Sequence, residues 1–124
     1  MIELIMAEVY DMRIAIVGSR KFENFALQEM IQYIPLNCSQ IISGGANGID
    51  QMAKQAAIDL DIDFVEILPD YQKYGRAAAI KRNEEIASKV YLVLAFWDLK
   101  SRGTAHIIDY CIKNYIPFKI IPIK

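Results

Sequence analysis

The sequence predicts an α/β fold: a Rossmann-like three-layer sandwich whose five-stranded parallel sheet runs in the order 3-2-1-4-5. Three observations predict it. Five short apolar runs alternate with segments whose apolar residues recur at helical spacing, as in a parallel sheet with helices on both faces. The first and fourth runs are almost wholly apolar, as strands covered on both sides are. The third and fifth carry charges or prolines that an inner strand tolerates poorly.

Residues 1–11 form an N-terminal extension in which Ile2, Ile5, Met6 and Val9 share one helical face, and a single domain is expected over residues 12–124. The first strand, Arg13–Val17, ends in Gly18-Ser19-Arg20, and helical spacing follows over Phe25–Ile34. The second strand, Gln40–Ser43, runs through a glycine-rich turn into a helix over Ile49–Leu60. The third run, Asp63–Leu68, interleaves Asp63 and Glu66 with Phe64, Val65 and Ile67, which marks an edge strand. A helix over Ala77–Ser88 leads to the fourth strand, Val90–Phe96. Helical spacing over Ala105–Asn114 then leads to the fifth, Phe118–Ile123, which carries Lys119 and is bracketed by Pro117 and Pro122. Placing the third and fifth runs at the edges gives 3-2-1-4-5, whereas the flavodoxin-like order 2-1-3-4-5 would bury the third run centrally.

Composition narrows the function. The 124 residues are 54% apolar and 23% charged, enough for one core and without a disordered tract. The longest apolar run, Val90–Trp97, is far short of the ~20 residues that span a bilayer, so no membrane role is expected and the cytoplasm is the expected location. A net charge of −1 offers no footprint for duplex nucleic acid, although Arg76, Lys81 and Arg82 lie close together. With one histidine, and with Cys38 and Cys111 far apart, no metal or other cofactor is expected, and both thiols read as reduced and structural.

Ligands of such sheets bind beyond the carboxyl ends of the strands, where the winding reverses. Four polar loops meet there. Gly44-Gly45-Ala46-Asn47-Gly48-Ile49-Asp50 is a turn that lets backbone approach a ligand, followed by a helix whose first N–H groups favour phosphate. Asp50 suits the helix dipole there, and accepting a ribose hydroxyl is its sharper alternative. Gly18, Ser19 and Arg20 combine close approach, a hydroxyl donor and a fixed charge; the bland alternative is a plain turn with an exposed arginine. Arg76, Arg82 and Asn83 sit at or on the third long helix, with Lys81 read as a solvated partner of Glu84 and Glu85. Gly103 and Thr104 precede the last helix, where Thr104 doubles as a possible cap. Trp97 and His106 read as packed rather than chemical. The fingerprint Gly-x-Gly-x-x-Gly is missing from the first turn, which argues against ordinary NAD binding.

Taken together, Ile16-Val17-Gly18-Ser19-Arg20, Ser43 through Asp50, Tyr74-Gly75-Arg76-Ala77-Ala78, Arg82-Asn83 and Arg102-Gly103-Thr104 resemble the SLOG superfamily. That superfamily joins Smf-type DNA-processing proteins to LOG phosphoribohydrolases, and the likeness is nearest to its YspA-type branch. The resemblance implies binding of a nucleotide or nucleotide-derived molecule, as a sensor or binding module, in a homo-oligomer. LOG-type hydrolases carry Gly-Gly-x-Gly-Thr-x-x-Glu at the fourth loop, and here Ile107 stands where that glutamate would be. An N-glycosidase acting on nucleoside monophosphates is therefore the second reading. It would rest on Arg82 and a substitute carboxylate from Asp98, Asp70 or Glu84, and no catalytic residue is assigned. Binding of single-stranded DNA ranks third, for want of a basic surface and an aromatic-studded groove, so nucleic acid is not the expected partner.

Overall fold

The computed structural model describes residues 12–124; the extension over residues 1–11, and the helical face expected on it, lie outside them. Strand β1 (Met12–Gly18) is the middle of the sheet. Its neighbours are β2 (Cys38–Ser43) and β4 (Leu92–Trp97), and the outer strands are β3 (Asp63–Glu66) and β5 (Phe118–Pro122). Every pairing is parallel and the order is β3-β2-β1-β4-β5. The fold and strand order expected from the sequence are therefore observed. The edge signals explain why: Asp63 and Glu66 are exposed on β3, and Lys119 is exposed on β5. Charged side chains there also discourage pairing with another chain.

Alternation along β1 builds a core on each face of the sheet. Ile14 and Ile16 face one side with Ile41, Leu94 and Phe96, beneath α1 (Leu27–Ile31) and α2 (Ile49–Leu60). Ala15 and Val17 face the other with Ile42, Val93 and Ala95, beneath α4 (Ala78–Ser88) and α5 (Arg102–Lys113). The short residues on this second face let α4 and α5 pack close to the sheet and to each other. Phe96 is fully buried and meets the rings of Phe25 and Tyr33 at 5.4 and 5.8 Å. Cutting it to alanine would cost about 3–5 kcal/mol.

Two helices differ from expectation. The segment predicted as Phe25–Ile34 is helical only over Leu27–Ile31. Phe25 turns inward onto Phe96 instead of starting the helix, and Ala26 at the N-cap supplies no side-chain acceptor. The last long helix begins at Arg102 instead of Ala105. Asp98 causes this by accepting from the N–H groups of Lys100 and Ser101 at 2.9 and 2.8 Å, a turn that delivers Ser101 to the N-cap position. The loop after β3 holds a single helical turn, α3 (Tyr71–Tyr74), capped by Asp70 accepting from the Lys73 N–H at 3.1 Å.

Candidate functional site

The carboxyl ends of β1, β2 and β4 open onto one cavity of about 410 Å³. It lies where the chain leaves β1 for one half of the sheet and β4 for the other, the reversal point of the winding. Buried Val17, Ile86 and Ile107 give it an apolar floor, and exposed Arg20, Lys21 and Arg102 stand at its rim.

The glycine-rich turn after β2 is organised by its own carboxylate. Asp50, in the first turn of α2 and 8% exposed, accepts from the Ala46 N–H at 3.0 Å. An internal anion thus takes an amide that the sequence reading offered to a phosphate, at a helix end that favours negative charge. Burial pushes the Asp50 carboxyl above its ordinary range, opposed by that N–H and by the Arg82 guanidinium. Arg82 is half-buried, and burial lowers its pKa while Asp50 opposes the change.

Arg82 is also committed inward. Its Nη1 donates to the carbonyls of Gly44 at 2.5 Å and Ile67 at 3.4 Å, and its Nε donates to Asn83 Oδ1 at 2.8 Å. Asn83 Nδ2 in turn donates to the Gly103 carbonyl at 3.4 Å, tying α4 to α5. These two residues line the cavity and at the same time hold its walls.

Ser19 is 1% exposed and does not line the cavity. Its N–H donates to the Phe96 carbonyl, its carbonyl accepts from the Ile49 N–H, and its Oγ accepts from the Asp98 N–H at 2.9 Å. The hydroxyl expected to donate to a ligand instead joins the loops after β1 and β4. Gly18 lines the cavity, but a Cβ there would fall 2.1 Å from the Phe96 carbonyl oxygen, so strand packing already demands the glycine. Gly48 has φ +79° and would place a Cβ 2.4 Å from the Arg20 carbonyl oxygen. Its role is to let the β1 and β2 loops touch.

Of the remaining residues singled out in the sequence, Arg20, Gly44, Ala46, Asp50, Gly103 and Thr104 line the cavity. Gly45, Asn47, Gly48 and Arg76 do not; Asn47 and Arg76 are exposed, the latter in the single 3-10 turn Gly75–Ala77. Gly103 and Thr104 lie inside the first turn of α5 instead of before it. Thr104 is therefore not the cap. Trp97 donates its Nε1–H to the Ser101 carbonyl at 3.0 Å, and His106 Nε2 lies 3.6 Å from Glu84.

Sequence reasoning left Lys21 and Ser101 out of the site. Lys21 carried a signal in its adjacency to Arg20, and Ser101 in the Asp98-x-x-Ser101 spacing of a side-chain-capped turn. Asp98, weighed only as a substitute acid, lines the cavity, and the N–H groups of Ser101 and Lys100 hold its carboxyl down at about 2. Among the described residues no cluster of three or more potential metal ligands occurs, and no helix is long and apolar enough to cross a membrane.

A family model described as DNA recombination-mediator protein A matches residues 6–108. The chain belongs to this family. Two solved structures share its fold. One is described as giving insights into the single-stranded DNA binding mode of DNA processing protein A from Helicobacter pylori; it has 19% identity and a TM-score of 0.72 over 94% of this chain and 69% of that one. The other is DNA processing protein A from Streptococcus pneumoniae, with 19% identity and a TM-score of 0.74 over 94% of this chain and 52% of that one. This chain thus spans about half the length of the pneumococcal structure. No curated protein matches it significantly.

These findings overturn the expectation that nucleic acid is not the partner. The family is one of DNA recombination mediators, and the Helicobacter pylori protein of the same fold is described by its single-stranded DNA binding. The physical error was averaging. A net charge of −1 hides the gathering of Arg20, Lys21, Arg82 and Arg102 around one cavity that holds only Asp50 and Asp98 against them. Tyr71 and Tyr74 are exposed on α3, in the loop that follows β3.

Proposed function

We propose that the cleft at the carboxyl edge of the sheet binds single-stranded nucleic acid as a binding module. The observation that carries this reading is the cationic rim of Arg20, Lys21 and Arg102 over an open cavity whose glycine-rich turn already contains the Asp50 carboxylate. Phosphates then engage exposed side chains at the rim, where each contact is weak and screened by salt. Several such contacts along a strand add up, whereas a lone mononucleotide makes one or two. Family membership and the described behaviour of the Helicobacter pylori neighbour support the same choice.

The geometry disfavours the glycosidase reading. Ile107, 1% exposed, gives the cavity an apolar wall where a LOG-type enzyme has its glutamate. Each substitute carboxylate is engaged: Asp98 is held ionised in its turn, Asp70 caps α3, and Glu84 sits beside Lys81 and His106 at 3.9 and 3.6 Å. An acid poised to protonate a leaving base needs a raised pKa, the opposite of what Asp98 has.

Fluorescence anisotropy with a labelled oligo-dT at low salt tests the proposal, with duplex DNA, AMP and ADP-ribose as competitors. Binding of the single strand in preference to the duplex, with no displacement by mononucleotides at comparable concentration, is expected. Failure of the oligonucleotide to bind, or its ready displacement by AMP or ADP-ribose, would overturn it.

A further inference from the structure

The loop between β4 and α5 contains a side chain that the site described so far does not use. Leu99 is 59% exposed and has φ +65°, in the left-handed region that a leucine seldom occupies. The other non-glycine residues with positive φ among the described residues have local reasons. Asp61 and Tyr115 follow the ends of α2 and α5, where this conformation is a common exit, and Asn24 is a residue type that tolerates it.

Leu99 neither follows a helix end nor is a residue type that tolerates this conformation. Its conformation is imposed by its neighbours. Asp98 Oδ1 accepts from the Lys100 and Ser101 N–H groups and from the Ser101 hydroxyl at 2.9 Å, and the Asp98 N–H donates to buried Ser19. The Trp97 indole holds the Ser101 carbonyl. The loop is thus fastened at both ends and projects Leu99 outward between Asp98 and Ser101, two residues that line the cavity. An exposed apolar side chain on a braced backbone, between two residues that line a cation-rimmed cavity, suits a ligand with alternating anionic and flat apolar parts. A strand of nucleic acid has both, in its phosphates and its base faces.

We propose that Leu99 is a specificity-determining contact, an apolar prong on a braced loop that packs on the face of a nucleobase whose flanking phosphates lie along Arg20 and Arg102. This rests on the single-strand reading above and adds a means of distinguishing a base-bearing strand from a bare phosphate chain. Backbone strain at non-glycine residues persists where the surrounding structure over-determines it, and such residues cluster at ligand sites.

The test compares binding of oligo-dT and of an abasic oligomer of equal length by the wild type, Leu99→Ala and Leu99→Gly. Glycine adopts φ +65° freely, so Leu99→Gly is expected to fold with an equal or higher melting temperature. Both variants are expected to bind oligo-dT about fivefold to tenfold more weakly, with abasic affinity within about twofold of wild type. Unchanged oligo-dT affinity, an equal loss on both oligomers, or a wild type that does not distinguish them would overturn the assignment of Leu99 alone. A wild type that binds neither oligomer removes the single-strand reading and this inference with it.

Discussion

Replacing Arg82 with alanine separates two roles that its position allows, bracing the glycine-rich turn and meeting a ligand. The guanidinium donates to the buried Gly44 carbonyl at 2.5 Å and to the Ile67 carbonyl at 3.4 Å, and it faces the 8%-exposed Asp50 carboxylate. Leaving a buried acceptor unpaired costs about 1–3 kcal/mol, and removing the cation beside a mostly buried carboxylate adds roughly 1 kcal/mol. A total of about 2–4 kcal/mol corresponds to a melting temperature lower by roughly 10 °C for a domain of this size. Arg82→Lys keeps a charge near Asp50 but cannot reach both carbonyls and Asn83 together, so it is expected to lose about 1–2 kcal/mol. Urea denaturation followed by circular dichroism and by the fluorescence of Trp97, the one tryptophan, measures both variants. A loss below about 0.5 kcal/mol for Arg82→Ala would refute the bracing role, because a buried acceptor abandoned by its donor typically costs about 1–3 kcal/mol.

Other outcomes follow from the same geometry. Gly48→Ala is expected to destabilise by more than about 3 kcal/mol, since its Cβ meets the backbone carbonyl of Arg20 at a positive φ, and denaturant midpoints measure the loss. Gly103→Ala, with nothing nearer than Asn83 Nδ2 at 4.0 Å, is expected to gain about 0.5 kcal/mol of stability, and its effect on oligo-dT affinity tests whether a strand passes close to the start of α5. Changing Arg20, Lys21 and Arg102 singly to glutamine should weaken oligo-dT binding and reduce the slope of log affinity against log salt by about 0.7 each; an unchanged slope removes that residue from the phosphate path. Acid titration should reveal Asp98. The folded protein binds fewer protons than the unfolded chain between about pH 4 and 2, so its contribution is present above that window and is lost as pH falls through it. Melting curves of Asp98→Asn should lack this component, whereas Asp50, shifted upward, acts in the opposite direction.

Much of the fold was legible because the informative residues act locally. Asp63, Glu66, Lys119 and the flanking prolines mark the edges whatever the tertiary detail, and the apolar runs of β1 and β4 can only be central. The site was legible as a place more than as a set of contacts. That Arg82 would donate to Gly44, 38 residues away, or Ser19 accept from Asp98, 79 residues away, depends on distances no local pattern encodes. The start of α5 was missed because the Asp98 turn starts the helix at Arg102 and carries Gly103 into it, against the poor helix propensity of glycine. Helix α1 came out short because tertiary burial of Phe25 outweighed its periodicity. Charge was misread for a related reason, since a sum over the chain carries no information about where four cations meet.

Ser19 joins three parts of the molecule through its amide, carbonyl and hydroxyl, linking the end of β1 to β4, to the loop after β4 and to the start of α2. Such a junction leaves little freedom for the strand ends to spread or close around a guest. If the cleft binds a single strand as proposed, the receiving surface is already formed, and the entropy lost on association falls mainly on the strand, which must straighten to match it. Recognition by a stiff surface favours chains that are already unpaired and pliable, and it penalises those whose shape is fixed by a complementary strand.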